Sequence, residues 1–164
     1  RKNRAGGVAE HIFAHALPVA RDGALVAIRM GAHTANPGRF YFAAGSFDGN
    51  DILDGQVSVK ANMRREVLEE TGLDLDHARA EFGYRLYAAN RQTVLLRRYR
   101  FEATAQELAD RIGDHIAREP HPEIEAPVII RSAAGLPDNA MPHMAPVVDW
   151  HFSTTNQARG AGDA

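Results

Sequence analysis

The chain has 164 residues, with 19 lysines and arginines against 21 aspartates and glutamates, eight histidines and no cysteine. This length suits one domain, and a net charge of -2 argues against a general nucleic-acid binder, which usually carries a basic excess. The absence of cysteine excludes disulfides, thiolate zinc sites and a cysteine nucleophile. Any chemistry must therefore come from carboxylates, histidines, hydroxyls or a bound metal.

The hydropathy of the chain indicates neither a membrane segment nor a secretion signal. No stretch approaches the roughly 18 apolar residues that a membrane helix needs, and no apolar core follows the basic residues at the start. We therefore expect no membrane partner and a cytoplasmic location. Composition predicts one domain over residues 1–153 and a disordered tail over residues 154–164.

The first elements in chain order are strands. A turn at Arg21-Asp22-Gly23 separates two strands within residues 12–30, because Asp-Gly favours hairpin turns. The aromatic run Phe40-Tyr41-Phe42 predicts a third strand, and residues 45–50 have the composition of a loop. The first third of the chain therefore indicates a small β-sheet.

A helix is expected after this loop. From about Val57 to Thr71 the residue types favour helix, and Gly72 stands where a left-handed cap would lie. The remaining predicted elements are a β-hairpin (82–88 and 93–101), an amphipathic helix (106–117), a strand (124–131) and a short helix (144–152). Pro127 indicates either an edge position or a late start for the strand. Strands alternating with helices predict an α/β fold with a mixed sheet, whose strand order stays open.

Three carboxylates near the end of the predicted helix indicate a metal site. Glu66, Glu69 and Glu70 fall within about 100° of arc on one helix face, where they repel one another and where the helix dipole disfavours anions. A divalent cation would remove both costs, since Mg²⁺ and Mn²⁺ prefer hard oxygen ligands. Val67 and Leu68 on opposite flanks predict a helix packed on two sides, with these carboxylates facing a cleft. A solvated acidic face is the alternative interpretation.

The residues around these carboxylates resemble a known motif. Residues 65–73, Arg-Glu-Val-Leu-Glu-Glu-Thr-Gly-Leu, match the second half of the Nudix box, G-x5-E-x7-R-E-U-x-E-E-x-G-U, where U is a bulky aliphatic residue. Over most of residues 12–131 the chain thus resembles the Nudix hydrolase superfamily, the MutT-like proteins. The resemblance implies an α/β/α sandwich around a mixed β-sheet.

The first half of the box departs from the family pattern. Counting back from Arg65, Asp51 stands at the Gly position and Val57 at the first Glu position. A glycine loop lies earlier, since Gly45 precedes Arg65 by 20 residues, which indicates an insertion of about six residues. The candidates for the missing first glutamate are Asp48 and Asp54.

The resemblance also implies an activity. Nudix enzymes hydrolyse a nucleoside diphosphate linked to another moiety by attack of water on phosphorus, and Mg²⁺ or Mn²⁺ screens the diphosphate charge. The implied metal ligands are Glu66, Glu69 and Glu70, and Arg65 would be the structural arginine that orients a neighbouring carboxylate. A further catalytic carboxylate would come from a later loop, as Glu125 or Glu123.

The implied partner is a small nucleotide of the NDP-sugar, ADP-ribose or dinucleotide type, and a homodimer is compatible with family habit. A tyrosine ring can stack on a base and an arginine can bind phosphate, whereas a core aromatic and a solvated strand face are the alternatives. The candidate substrate contacts are Gly45, Tyr41, Arg97 and Glu123. No histidine pair has zinc-ligand spacing, so residues such as His143 and His151 are interpreted as surface or packing residues.

Two other functions are known on this scaffold. Isopentenyl-diphosphate isomerase depends on a cysteine, which this chain lacks. A catalytically degenerate Nudix domain that binds a nucleotide-type ligand as a sensor stays open as an alternative. The altered first half of the box favours such a sensor, and the complete R-E-x-x-E-E segment favours the hydrolase.

Overall fold

The computed structural model of the chain describes residues 11–160, and a seven-stranded sheet lies at its centre. The strands are β1 (His11–Val19), β2 (Leu25–Met30), β3 (Phe40–Tyr41), β4 (Ile52–Leu53), β5 (Gln56–Val57), β6 (Arg79–Ala80), β7 (Arg85–Ala89), β8 (Gln92–Arg100) and β9 (Ile124–Ile130). The helices are α1 (Val59–Thr71), α2 (Ala105–Arg118) and α3 (Met144–Gly160). Strands β4 and β5 form a separate small hairpin, and the other seven strands form the main sheet.

The main sheet contains both parallel and antiparallel pairs. Its two central strands, β1 and β8, run parallel from the pair His11–Gln92 to the pair Val19–Arg100. The β7 strand pairs antiparallel with β8 through a tight turn, in which Asn90 and Arg91 both have positive φ angles. Among the described residues β9 pairs only with β2, so Pro127 lies in an edge strand, which is the first of the two alternatives that the sequence left open. The mixed α/β architecture is confirmed.

Two apolar layers cover the two faces of the sheet. Because side chains alternate along a strand, Ala14 and Ala16 face one layer, whereas Phe13 and Leu17 face the other. The first layer contains Met63 and Val67 of α1 with Leu108 and Ile112 of α2, and the second contains Val147 and Val148 of α3. The molecule is thus the α/β/α sandwich that the resemblance implied.

The carboxylate helix α1 begins and ends at local signals in the sequence. The Ser58 hydroxyl accepts a hydrogen bond from the Ala61 backbone N–H at 3.2 Å, and Gly72 ends the helix with a φ of 68°. The predicted packing on two sides is wrong, because Leu68 is 50% exposed. The sheet lies on one side of α1 only, where Met63 and Val67 are buried.

The last helix, α3, continues to Gly160, whereas the sequence predicted a short helix ending near residue 152 and a disordered tail from residue 154. The Thr154 hydroxyl donates to the Trp150 carbonyl at 2.9 Å and accepts from Arg98 of β8 at 3.0 Å. These contacts hold the turn after Phe152 against the sheet, and no proline interrupts the helix beyond it. Residues 161–164 of the expected tail lie outside the described residues. Within residues 11–160, no helix is long and apolar enough to span a membrane.

Candidate functional site

Arg65 of α1 lies at the centre of a group of carboxylates. Its guanidinium contacts Glu66 at 2.6 Å and Asp51 at 3.0 Å, with Glu69 at 3.4 Å and Asp48 at 3.6 Å. The hydrogen bond to Asp51 and the neighbouring negative charges raise the pKa of Arg65 above its ordinary value. Arg65 therefore ties the carboxylate face of α1 to the loop that precedes the helix, which is consistent with an orienting role.

Asp51 provides the buried anion opposite Arg65. It is 1% exposed, and its Oδ2 accepts hydrogen bonds from the Asp48 backbone N–H and from Asn62 Nδ2, each at 3.0 Å. Burial alone would raise the pKa of Asp51, but these hydrogen bonds and the one from Arg65 lower it below its ordinary value. Asp51 is thus an ionised carboxylate that connects the loop to α1 through hydrogen bonds.

The sequence interpretation did not identify this role of Asp51. It aligned Asp51 with a glycine and named Asp48 and Asp54 as replacements for the first glutamate. Asp48 does approach Arg65, whereas Asp54 is exposed in the turn between β4 and β5 with a φ of 52°. A signal was present, since Asp48 and Asp51 have the spacing of a capping box and form one around the 3-10 turn Gly49–Asp51.

Gly45 and Glu66 approach each other closely. A Cβ atom built on Gly45 would overlap the Glu66 carboxylate, so any larger residue at this position would displace the Glu66 side chain from its present position. Burial raises the pKa of Glu66, and the adjacent Arg65 acts in the opposite direction. The glycine loop that the sequence singled out therefore lies directly against the carboxylate face.

Glu70 is the most perturbed carboxylate of this face. Its Oε2 is buried and has no hydrogen-bond partner among the described residues. Burial, followed by the charges of Glu66 and Glu123, raises the pKa of Glu70 to about 8. A carboxylate in these surroundings is costly to ionise unless a cation accompanies it.

A cavity of about 290 Å³ lies between α1 and the end of α2 with the segment that follows it. It is lined by Glu66, Glu69, Glu70, Glu119, Glu123, His115 and His121, among others. Of the two later glutamates that the sequence proposed as a further catalytic carboxylate, only one lines this cavity. Glu123 lines it, whereas Glu125, in the edge strand β9, pairs with Arg29 of β2 at 3.0 Å and does not line it.

The chemistry of these side chains fits a hard divalent cation, although the observed rotamers do not converge on one point. Among residues 11–154, whose side chains are described, no three His, Asp or Glu side chains surround a common metal position. Glu66 is held by Arg65, and the Glu69 side chain is 61% exposed. The carboxylate oxygens of the α1 glutamates and the unpartnered Oε2 of Glu70 suit Mg²⁺ or Mn²⁺, and coordination would require rotation of these side chains.

A second cavity, of about 380 Å³, lies on the other side of Gly45. Its lining includes the apolar or aromatic side chains of Phe13, Tyr41 and Met141, the polar side chains of Asn36, Gln92 and Ser46, and the buried histidines His15 and His143. None of its lining residues is an Asp, Glu, Lys or Arg. Burial, with a contribution from Glu70, raises the pKa of Tyr41 to about 12, so this phenol stays neutral.

The structure places Arg97, a predicted substrate contact, outside both cavities. Its Nε donates to the Glu81 carbonyl at 2.7 Å, and its guanidinium lies over the rings of Tyr84 and Tyr99. Arg97 is therefore engaged with neighbouring strands. Tyr41 and Gly45, the other two candidates near the loop, both line the second cavity.

Comparisons with known proteins identify the fold. No protein-family model matches the chain, and no curated protein matches it. A solved structure from Deinococcus radiodurans aligns with a TM-score of 0.63 at 13% identity, over 92% of this chain and 90% of that one. A MutT protein from Methanosarcina mazei aligns with a TM-score of 0.58 at 14% identity, over 90% and 96%. A MutT Nudix hydrolase from Burkholderia pseudomallei aligns with a TM-score of 0.51 at 19% identity, over 86% and 96%. The chain thus has the Nudix fold that the motif predicted.

Proposed function

We propose that the chain is a Nudix hydrolase that uses Mg²⁺ or Mn²⁺ to cleave the diphosphate of a nucleoside diphosphate linked to another moiety. The observation that carries this proposal is the state of Glu70, whose Oε2 is buried without a partner beside Glu66 and Glu123. Crowded, buried carboxylates destabilise a fold unless a cation compensates them. The Nudix fold and the complete R-E-x-x-E-E segment support the same conclusion.

The residues of α1 have distinct parts in this reaction. Glu66, Glu69 and Glu70 would hold the cation, which when bound supplies charge screening for the diphosphate and an acidified water. Arg65 and Asp51 keep the carboxylate face registered against the glycine loop. We assign the additional carboxylate to Glu123, because it lines the same cavity and Glu125 does not.

The two cavities support a substrate with two chemically different parts. The cavity at Glu70 is lined by carboxylates and would receive the diphosphate together with its cations. The cavity beyond Gly45 is uncharged and partly aromatic, with Phe13 and the neutral Tyr41 on its walls. Flat aromatic groups stack well on such side chains. A nucleoside joined to a diphosphate satisfies both cavities, because Gly45 lines the second cavity and lies against Glu66, which lines the first.

Turnover of a substrate panel tests this proposal. NDP-sugars, ADP-ribose, dinucleotides and nucleoside triphosphates are supplied with Mg²⁺ or Mn²⁺. The monophosphate esters formed from the diphosphate derivatives are measured as phosphate released by a coupled phosphatase, and the pyrophosphate formed from the triphosphates is measured with a coupled pyrophosphatase. We expect turnover of at least one nucleoside diphosphate derivative and a loss of about a hundredfold or more in Glu69→Gln and Glu70→Gln. Glu102→Gln, which changes an exposed glutamate between β8 and α2, is the matched control. Nucleotide binding without turnover across the panel would instead favour the sensor function.

A further inference from the structure

His15 and His143 form a buried hydrogen-bonded pair between two distant parts of the chain. The Nε2 atoms are 2.9 Å apart, and the ring centroids are 4.9 Å apart with an interplanar angle of 29°. His15 lies on the central strand β1, and His143 immediately precedes α3. The two side chains are 1% and 4% exposed. The pair therefore joins the sheet to the loop that leads into the last helix.

The hydrogen bond determines how protons are distributed over the two rings. One Nε2 must donate and the other must accept, so the two imidazoles cannot both be protonated on both nitrogens. In the neutral pair the donating ring has a bare Nδ1, and the accepting ring carries its proton on Nδ1. Burial, with the neighbouring His143, lowers the pKa of His15 to about 3, and burial lowers the pKa of His143 to about 4. The pair is consequently uncharged at neutral pH.

Packing alone does not account for two histidines at these positions. The Nδ1 atom of His143 is buried and has no hydrogen-bond partner in the described part of the chain, whereas the backbone carbonyl groups of Phe42 and Ala43 lie within reach of the His15 ring. An unpartnered buried polar atom costs about 1–3 kcal/mol, and two apolar rings would fill the same space without that cost. Both histidines line the uncharged cavity beyond Gly45, beside Phe13 and Tyr41. Their position in the cavity wall, together with the free-energy cost of burying an unpartnered polar atom there, indicates a role in binding a ligand.

We propose that the His15–His143 pair is the specificity-determining element of this cavity, which takes a flat, uncharged ring with hydrogen-bonding edges, such as a nucleobase. The inference rests on the proposed function, because this ring would be the base of the nucleoside whose diphosphate lies beside Glu70. The pair keeps the buried part of the cavity neutral, which disfavours a charged group. It also fixes the separation of β1 from the loop before α3, and this separation sets the width of the cavity.

Binding of free nucleosides to the whole chain tests the inference without turnover and without metal. Calorimetric titrations with adenosine, guanosine, cytidine and uridine are compared with a titration of ribose 5-phosphate, which has no base. We expect at least one nucleoside to bind and ribose 5-phosphate not to bind. In nitrogen-15 spectra of the imidazoles, the bound nucleoside should shift the resonances of His15 and His143 and leave those of the exposed His77 unchanged.

Two substitutions of His143 separate hydrogen bonding from space filling. His143→Phe keeps a ring but removes the hydrogen bond, and we expect it to weaken nucleoside binding about tenfold or more and to change the order of preference among the four bases. His143→Gln keeps a side-chain donor and should restore part of the affinity. In turnover, His143→Phe should raise KM more than it lowers kcat, as expected for a group that contributes binding. His77→Gln is the control.

Several outcomes would overturn the inference. They are the absence of nucleoside binding to the unmodified chain, equal affinities in His143→Phe, and imidazole resonances that do not respond to a bound nucleoside. The last measurement uses the unmodified chain and stays decisive if His143→Phe fails to fold. Hydrolysis that does not depend on the pair would contradict this inference and leave the proposed function intact. Nucleoside binding that depends on the pair, without hydrolysis of any panel member, would support the pair and contradict the hydrolase.

Discussion

Single residues decide how closely the glycine loop can approach α1. At position 45 the side chain is a hydrogen atom, and the space that a methyl group would need is filled by the Glu66 carboxylate. Glycine 49, four residues later, has open space where its Cβ would lie. The two glycines therefore differ in whether a Cβ atom would overlap a carboxylate of the site.

This difference predicts opposite outcomes for two alanine substitutions. Gly45→Ala should displace Glu66, lower the free energy of unfolding by about 1–3 kcal/mol and weaken Mn²⁺ binding. Gly49→Ala should change the free energy of unfolding by less than about 0.5 kcal/mol. Thermal denaturation and Mn²⁺ titration measure both effects. If the two variants have equal stability and equal Mn²⁺ affinity, the close approach of Gly45 to Glu66 contributes to neither stability nor metal binding.

Glu70 makes a residue-scale prediction about the metal-free protein. Its pKa is about 8 in the folded state, above the ordinary value of a glutamate, so the folded chain binds a proton that the unfolded chain releases between about pH 4.5 and pH 8. The contribution of Glu70 to stability is therefore fully present below that window and is lost as the pH rises through it. Glu70→Gln should raise the melting temperature in EDTA at pH 8 and should reduce the increase that Mn²⁺ produces.

Glu102→Gln provides the comparison for this prediction, because Glu102 is exposed. It should leave both melting temperatures unchanged. A metal-free Glu70→Gln that melts below the unmodified chain at pH 8 would show that the Glu70 carboxylate is compensated by the protein itself. The need for a cation at this site would then disappear.

At the scale of secondary structure elements, local signals were sufficient for α1 and insufficient for the loop before it. The helix was expected because the helix-forming residues from about Val57 to Thr71 and the cap at Gly72 lie within one segment. The role of Asp51 was missed because counting back from Arg65 aligned it with a glycine, and because its partners Asn62 and Arg65 lie 11 and 14 residues away. Burial of Asp51 is a property of the folded loop, which the motif alone does not contain.

Loss of the Asp51 charge should therefore weaken the contact between the loop before α1 and the helix. Asp51→Asn removes the anion that faces Arg65 and leaves buried polar groups poorly paired, so we expect the free energy of unfolding to fall by about 2–4 kcal/mol. Asp54→Asn is the matched control, because Asp54 is exposed and asparagine tolerates its positive φ. Urea denaturation measures both variants. Equal stability of Asp51→Asn and Asp54→Asn would contradict the anchoring role of Asp51.

At the scale of the whole molecule, the sequence does not predict which residues far apart in the chain come into contact. The alternation along β1 shows that Phe13, His15 and Leu17 share one face, but it does not show that His143 lies opposite His15, 128 residues away. The same limit applies to α3, whose continuation past Phe152 depends on a hydrogen bond from Arg98 to Thr154. Sheet order, the second cavity and the histidine pair all follow from such long-range contacts.

The histidine pair also links the stability of the whole fold to pH. The folded-state pKa values of His15 and His143, about 3 and about 4, lie below the ordinary histidine value of about 6.5. The unfolded chain therefore takes up protons below about pH 6.5 that the folded chain does not, and the free energy of unfolding falls as the pH is lowered toward 4. Between pH 7 and pH 5 we expect the pair to account for a loss of about 2–4 kcal/mol, measured by urea denaturation. A double substitution, His15→Phe with His143→Phe, should remove this part of the pH dependence, whereas His77→Gln should retain it. If the double variant and the unmodified chain lose stability equally over this range, the two histidines are not held neutral by burial.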